Sequence, residues 1–357
     1  MIDVLHVISG LGTGGAETML VQLAGQLRAR GLSQHVVCLG TQAELAGDLR
    51  AAGVDLTVAG AKSIGSLCAA VGSLVRMTNR LRPRIVQGWM YHGNLAASLS
   101  HNLSPGKRGR RLFWNLRASN MDARRYGGII RCSALLSRQV DLVIANSQAG
   151  IDFHRAAGFR PKQFAMIANG IDTEKFSPDP AARTQVRAAL GIPDDAIVVL
   201  HVARVDPMKD HDNFLAAMAT LPSVVGIMVG AGTQDLTRPP NVRALGLRRD
   251  TNSLYAAGDI IASTSAFGEG FPNVIAEGMS AGLVPVATDV GDARHIIGDA
   301  GWMVPPRDSR AFAAAVEAAD ALPADERRRR GLAARARIVA NFRLAQAAEQ
   351  YRRLYCA

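Results

Sequence analysis

Aromatic residues make up only 5% of this 357-residue chain, and cysteine is scarcer still, with four residues in all. Cys38, Cys68, Cys132 and Cys356 lie far apart and none forms a Cys-x-x-Cys pair. That spacing argues against a zinc framework or a disulfide scaffold and fits a reducing cytoplasm. No apolar run approaches the roughly 18 residues a membrane-spanning helix needs. The opening residues lack the charged and apolar regions of a leader and read as a buried strand, so no secretory signal is expected. Acidic residues are the minority charge, 30 against 41 Lys and Arg, for a net +11. The excess sits in clusters: Lys107-Arg-Gly-Arg-Arg111, Arg124-Arg125, Arg160-Pro-Lys162 and 327–330. The last reads as a solvated basic surface. No RNP, zinc-finger or homeodomain pattern accompanies the charge, so nucleic acid is not an expected partner. A phosphate-rich substrate and an anionic membrane face both suit it.

Hydrophobic residues account for 48% of the chain, enough for a substantial core, and the length suffices for two domains of about 150 residues each. In the first half, apolar runs at 4–8, 35–39, 84–88, 112–115 and 140–145 alternate with helical patterns at 16–30, 66–82, 94–101 and 147–157. In the first helix Met19, Leu20, Leu23, Ala24 and Leu27 recur at helical spacing. Turn chemistry follows at Asn169-Gly-Ile-Asp172 and Ser177-Pro-Asp-Pro180. The alternation then restarts, with strands at 197–202, 224–229, 259–262 and 284–287 and helices at 210–219, 272–281 and 309–321. The expected fold is α/β: two Rossmann-like, doubly wound parallel-sheet domains facing across a cleft, spanning 1–172 and 173–342. A final helix over 343–357 carries Leu344, Ala347, Ala348, Tyr351 and Leu354 on one face. It can cross back to the first domain, but its pattern leaves its packing partner open.

Gly10-Leu-Gly-Thr-Gly-Gly15 follows the first strand and opens a helix, in the G-x-G-x-x-G form of a dinucleotide fingerprint. A nicotinamide cofactor would also want an acid at the end of the second strand. That place is Cys38-Leu-Gly40, so NAD is rejected. Gly14 and Gly15 still let a ligand approach backbone amides. Arg204 follows a buried strand and Lys209 precedes a helix, so both reach the rim where doubly wound sheets bind ligands. Together they can neutralise a pyrophosphate, the arginine as a fork and the lysine as a point charge. The competing reading is a surface pair bound to Asp206 and Asp210. Asp210-His-Asp212 is the chain's one D-x-D; because it starts a helix, capping explains it better than a metal, which wants more converging oxygens. His92, just after the strand ending at Gly88, either faces the cleft or is a satisfied, part-buried histidine. Asn115, Arg117 and Ser119 follow another strand and are candidates to face an acceptor.

The most specific stretch is Ser265-Ala-Phe-Gly-Glu-Gly-Phe-Pro-Asn-Val-Ile-Ala-Glu277. Pro272 suits the first position of a helix. Glu269 then lies on the loop before it and Glu277 about one and a half turns inside, at roughly 3.6 residues per turn. The free amides of Phe271, Asn273 and Val274 at that end suit a phosphate. Carboxylates beside a phosphate nest make sense if they hold sugar hydroxyls, which describes a nucleotide-sugar site. A glycosidase pair is the alternative, but hydrolysis of a simple glycoside needs no phosphate nest.

Together these features resemble a retaining glycosyltransferase of the GT-B fold, family 4 (group 1). The resemblance covers nearly the whole chain: the opening glycine loop, the Asn169-Gly-Ile-Asp172 hinge, Arg204 with Lys209, and Glu269-x7-Glu277 with Gly270-Phe-Pro-Asn273 inside it. It implies that Arg204 and Lys209 bind the donor diphosphate and stabilise the leaving nucleotide. It implies that Glu269, with the Gly270 and Phe271 amides, holds the transferred sugar, that Glu277 binds the ribose, and that His92 sits near the reacting centre. Leu247 and Arg248 would lie by the base. No cofactor or metal is implied, only a nucleotide-sugar co-substrate. Uridine diphosphate is the expected carrier because it is the commonest in the family; no residue decides it. Many similar enzymes extend lipid-linked saccharides of envelope polysaccharides at the inner membrane face, which the clusters at 107–111 and 124–125 would suit. A cytoplasmic, peripherally bound protein is expected. A nucleotide-sugar epimerase of the same fold and a non-catalytic transferase-like binding protein are the rival readings.

Overall fold

In the computed structural model of the protein, residues 1–106, 109–119 and 121–357 are described. Among them the chain forms two compact units, Met1–Gly170 with Leu344–Ala357, and Ile171–Arg343.

In the first unit the strands are β1 (Val4–Ile8), β2 (Gln34–Cys38), β3 (Asp55–Val58), β4 (Ile85–Trp89), β5 (Arg111–Leu116), β6 (Leu142–Ala145) and β7 (Gln163–Met166). They form one sheet in the order β3-β2-β1-β4-β5-β6-β7, with every described pairing parallel. The central strands β1, β2, β4 and β6 are buried along their whole length. Helices on both faces bring this about, and such strands consist of apolar runs rather than alternating patterns. The helices are α1 (Gly15–Ala29), α2 (Ala46–Ala51), α3 (Ile64–Leu81), α4 (Met90–Leu103), α5 (Ala123–Leu136) and α6 (Gln148–Ala156).

The second unit holds α7 (Pro180–Ala189), β8 (Val198–Val202), α8 (His211–Ala219), β9 (Val225–Val229), β10 (Val242–Ala244), α9 (Thr251–Ala257), β11 (Ile260–Ser263), α10 (Asn273–Ser280), β12 (Val284–Thr288), α11 (Ala293–Ile297), β13 (Trp302–Val304), α12 (Ser309–Asp320) and α13 (Ala324–Asn341). Its described sheet order, β10-β9-β8-β11-β12-β13, has the same plan as the first unit's core: a doubly wound sheet whose order reverses beside its first strand. Ligands of such sheets bind outside the carboxyl ends of the strands at that reversal, here β1/β4 and β8/β11.

The last helix, α14 (Leu344–Cys356), belongs to the first unit, where it packs on α1. Leu344, Ala347, Ala348, Tyr351 and Tyr355 join the core around β1 and α1. Leu354, expected on the buried face, is only partly buried, and Tyr355 takes the deeper place. Two large aromatics at 0% and 1% exposure, each stabilising by about 1.5–3 kcal/mol through burial, hold this terminal helix down.

Candidate active site

At the first unit's switch point, β1 runs into the glycine loop and α1 opens at Gly15 with Gly14 at the cap. Glu17, in the first turn of α1, lays its carboxylate over Gly14. This helix end therefore already carries a negative charge, which its dipole favours. α4 starts at Met90, four residues earlier than expected. Met90 adopts φ 61°, so the chain turns straight from β4 into the helix. Gly93 permits this: a Cβ there would lie 2.5 Å from the carbonyl oxygen of Val7. His92 consequently sits on the first turn of a helix, exposed, and is neither a loop residue nor a buried, satisfied histidine.

Asn115 and Arg117 need a correction. They do not face outward toward an acceptor. Asn115 is the fifth residue of β5 and fully buried; its amide donates to the Tyr351 hydroxyl at 2.7 Å. The part-buried Arg117 donates to Asn115 Oδ1 at 2.6 Å, to the Tyr351 hydroxyl at 2.7 Å and to Asn169 Oδ1, and lies over the Trp89 ring at 4.9 Å. This cluster ties α14 and Asn169, the next-to-last residue before the unit boundary, to the sheet. Ser119 is buried as well. Of the basic clusters, Lys107 and Arg108 lie outside the described residues, as do the side chains of Arg124 and Arg125.

At the second unit's switch point two of the other candidates meet. Lys209, from the loop after β8, forms an ion pair with Glu269, from the loop after β11; their side chains are 19% and 11% exposed. Ser265 donates to the same carboxylate oxygen at 2.7 Å. Burial alone would raise the Glu269 carboxyl, but the Lys209 ammonium and the Lys209 and Ser265 hydrogen bonds outweigh it and hold the group below its ordinary value. The loops are braced to each other: the Ala266 amide donates to the Met208 carbonyl at 2.8 Å. Gly291 presses against Glu269 from behind. It has φ 63°, and a Cβ there would lie 2.5 Å from the Glu269 carbonyl oxygen and 2.6 Å from that of Gly270.

Arg204 is exposed and paired with Asp206 at 3.0 Å, so the surface pairing weighed for it is present, whereas Lys209 takes Glu269 and not Asp210. Asp210 occupies the cap position of α8 but its side chain makes no capping bond, because it adopts the left-handed conformation, φ 48°. The expected capping role of Asp210 is therefore not the one it fills.

α10 begins at Asn273. Pro272, with ψ 92°, is the residue before the helix and not its first member. Glu269, Gly270, Phe271 and Pro272 are buried, while Asn273 and Val274 are part-exposed at the helix start. Phe271 packs edge-on against Phe342. Glu277, in the second turn, accepts a hydrogen bond from the buried Tyr255 hydroxyl at 2.7 Å. Burial raises its carboxyl, and the Tyr255 bond and nearby Lys175 offset this only in part. Leu247 and Arg248 follow β10 and are exposed, and Arg248 is forked onto Asp250 at 2.8 and 2.5 Å. Ser265, Gly291, Tyr255, Thr264 and His201 were not singled out beforehand. Only Ser265 lies within the motif, and the others are tied to the site by contacts distant in sequence.

Chemically, the second unit offers two cations, a helix N-terminus and two carboxylates whose acidities are pushed in opposite directions. Two parallel-sheet α/β units of this plan, with such a site on the second, define the GT-B type of glycosyltransferase. Residues 13–175 match the family described as Glycosyltransferase Family 4, and residues 196–319 the family described as Glycosyl transferases group 1. The two matches fall in turn on the first and the second unit, and both families are of glycosyl transferases. It is 30% identical, over 59% of its own length, to a D-inositol 3-phosphate glycosyltransferase of Xylanimonas cellulosilytica. The chain spans about half the length of such curated relatives, 55% in that case. The protein of the same description from Kineococcus radiotolerans matches at 26% identity, over 90% of this chain and 85% of that one. Among solved structures, Anabaena Alr3699/HepE in complex with UDP superposes with a TM-score of 0.84 at 25% identity, over 98% of both chains. The same protein in complex with UDP and glucose superposes with a TM-score of 0.87 at 24% identity, over 99% of both chains.

Proposed function

We propose that this protein is a retaining, metal-independent glycosyltransferase that moves a sugar from a uridine diphosphate donor to a saccharide acceptor. The observation that carries the reading is the Lys209–Glu269 pair at the β8/β11 switch point, beside the start of α10. The same rim offers cations for a diphosphate and carboxylates for hydroxyl groups. That Alr3699/HepE was solved with UDP and with UDP-glucose supports the choice of donor.

In this scheme Arg204, Lys209 and the α10 amides bind the diphosphate. Glu269, with the Gly270 and Phe271 amides, holds the sugar hydroxyls, and Glu277 takes the ribose. Leu247 and Arg248 flank the base. His92 is assigned to the reacting centre on resemblance to the family, and the amides of Gly14 and Gly15 to the donor because the glycine loop lets a ligand approach them. The anomeric carbon–oxygen bond breaks and the electron pair leaves with the diphosphate. The developing negative charge falls on the cations and helix end, where a preorganised site contributes most. The acceptor oxygen attacks the same face of the oxocarbenium-like sugar and its proton passes to the departing phosphate oxygen, which retains configuration without a protein nucleophile. The acceptor is a lipid-linked saccharide reached at the inner membrane face, as the basic excess favours. If the protein stays unbound to anionic liposomes at low salt, the membrane part is wrong.

The test is product analysis with UDP-hexoses and a panel of saccharide acceptors in the presence of EDTA, reading the anomeric configuration by NMR. Transfer with retention is expected. Donor consumption without an acceptor, giving an epimer, would contradict the reading.

A further inference from the structure

The turn that aims Lys209 is left-handed and supported from beneath. Asp210 directly follows Lys209 and adopts φ 48° and ψ 58°, the left-handed region, which is uncommon outside glycine although aspartate enters it more readily than most residues. The buried Thr264 hydroxyl, just past β11, lies 3.0 Å from the Lys209 carbonyl oxygen and 3.1 Å from that of Asp210, and donates to both. A hydroxyl has one proton, so Thr264 can otherwise only accept. Its remaining neighbour is His201 Nε2 at 3.1 Å, which must therefore be the donor. The neutral ring then carries its proton on Nε2 and leaves Nδ1 bare. Nδ1 is buried without a hydrogen-bond partner, as this tautomer allows. Burial pushes the His201 imidazole well below its ordinary value, so the ring stays neutral. The ring is also fixed in place. It is 2% exposed, stacked on Phe214 with centroids 4.7 Å apart, and edge-on to His211 at 4.9 Å.

We propose that His201 and Thr264 are positioning residues for Lys209: a two-bond relay from β8 through the end of β11 that holds the left-handed Lys209–Asp210 turn and thereby the ammonium beside Glu269. This rests on the reading of Lys209 as a diphosphate ligand. Neither residue touches the ligand in this scheme; both act through the carbonyls on either side of the turn.

The experiment is calorimetric titration of UDP into the wild type, Thr264→Val, Thr264→Ser and His201→Phe. Thr264→Val and Thr264→Ser are repeated in a Lys209→Ala background, and nitrogen NMR reads the His201 tautomer. Thr264→Val keeps the shape and His201→Phe keeps the stacking on Phe214. Each is expected to weaken UDP by roughly five- to tenfold, the effect of losing one or two hydrogen bonds. Thr264→Ser should restore wild-type affinity, and Thr264→Val should add nothing once Lys209 is alanine. Unchanged affinity in Thr264→Val, or an undiminished loss in the Lys209→Ala background, overturns the relay. A wild type that binds no UDP overturns the functional reading instead. The relay then stands if His201 carries its proton on Nε2 and loses that hydrogen bond in Thr264→Val, and falls if the proton is on Nδ1.

Discussion

Arg117 and Arg204 both follow a strand of a doubly wound sheet, and that placement alone makes each a candidate to face a ligand. The structure separates them. Arg117 is turned inward, with donors on Asn115, Asn169 and Tyr351 and its plane over Trp89. Arg204 is exposed with one aspartate partner, beside a lysine–glutamate pair at the sheet's reversal. A cation at a strand's carboxyl end is therefore not a site in itself. What separates the two is whether its donors are already satisfied by the fold or remain able to exchange a partner for a ligand. The first cluster should govern stability and the second turnover.

The largest expected effect tests the second cluster. Lys209→Ala and Glu269→Ala should fold and lose about 10²–10³-fold in turnover, the usual cost of removing a charge-stabilising group. Melts that stay cooperative but are lowered by the broken ion pair, with kcat per folded molecule collapsed, are the outcome to look for. Next comes Tyr351→Phe, which removes a hydroxyl that accepts from both Asn115 and Arg117. With two buried donors left unsatisfied it should cost about 1–3 kcal/mol in denaturant unfolding, while kcat per folded molecule stays unchanged. Loss of turnover at full stability would erase the distinction between the clusters.

The two carboxylates of the site sharpen it by pH. Glu269 is held below its ordinary value of 4.5, so its contribution to stability is present above that value and lost as pH falls through its lower folded value. Glu277 is raised by burial, so its contribution has the opposite sign: intact below 4.5 and lost as pH rises through its higher folded value. Melting curves against pH should show Glu269→Gln falling further below wild type on going from acid to neutral, and Glu277→Gln gaining on wild type over the same change. The smallest effect belongs to Arg248→Ala. Its exposed pair with Asp250 should be worth less than about 1 kcal/mol, and a larger loss of stability would mean the pair is not a surface one.

Much of this plan was legible in the sequence because central strands buried on both faces are written as apolar runs. The edge strands β3 and β7 were not, since both are half-exposed and carry no such run. α13 was missed for a similar reason. Its buried stripe is only Gly331, Ala334 and Ile338 under a run of arginines. In the site, Glu269 and Glu277 declared themselves because their spacing about a helix start lies within one short segment. The fate of Asn115 and Arg117 could not be read, because their decisive partner, Tyr351, lies more than 230 residues further along the chain. His201 and Thr264 went unnoticed for the same physical reason, a contact that only the sheet order creates.

The most direct measurement of the account is titration of UDP into the wild type, Lys209→Ala and Tyr351→Phe under identical conditions. The account predicts that wild type and Tyr351→Phe bind alike and that Lys209→Ala binds at least tenfold more weakly, about 1.4 kcal/mol. Equal binding by Lys209→Ala, or a loss confined to Tyr351→Phe, would contradict it.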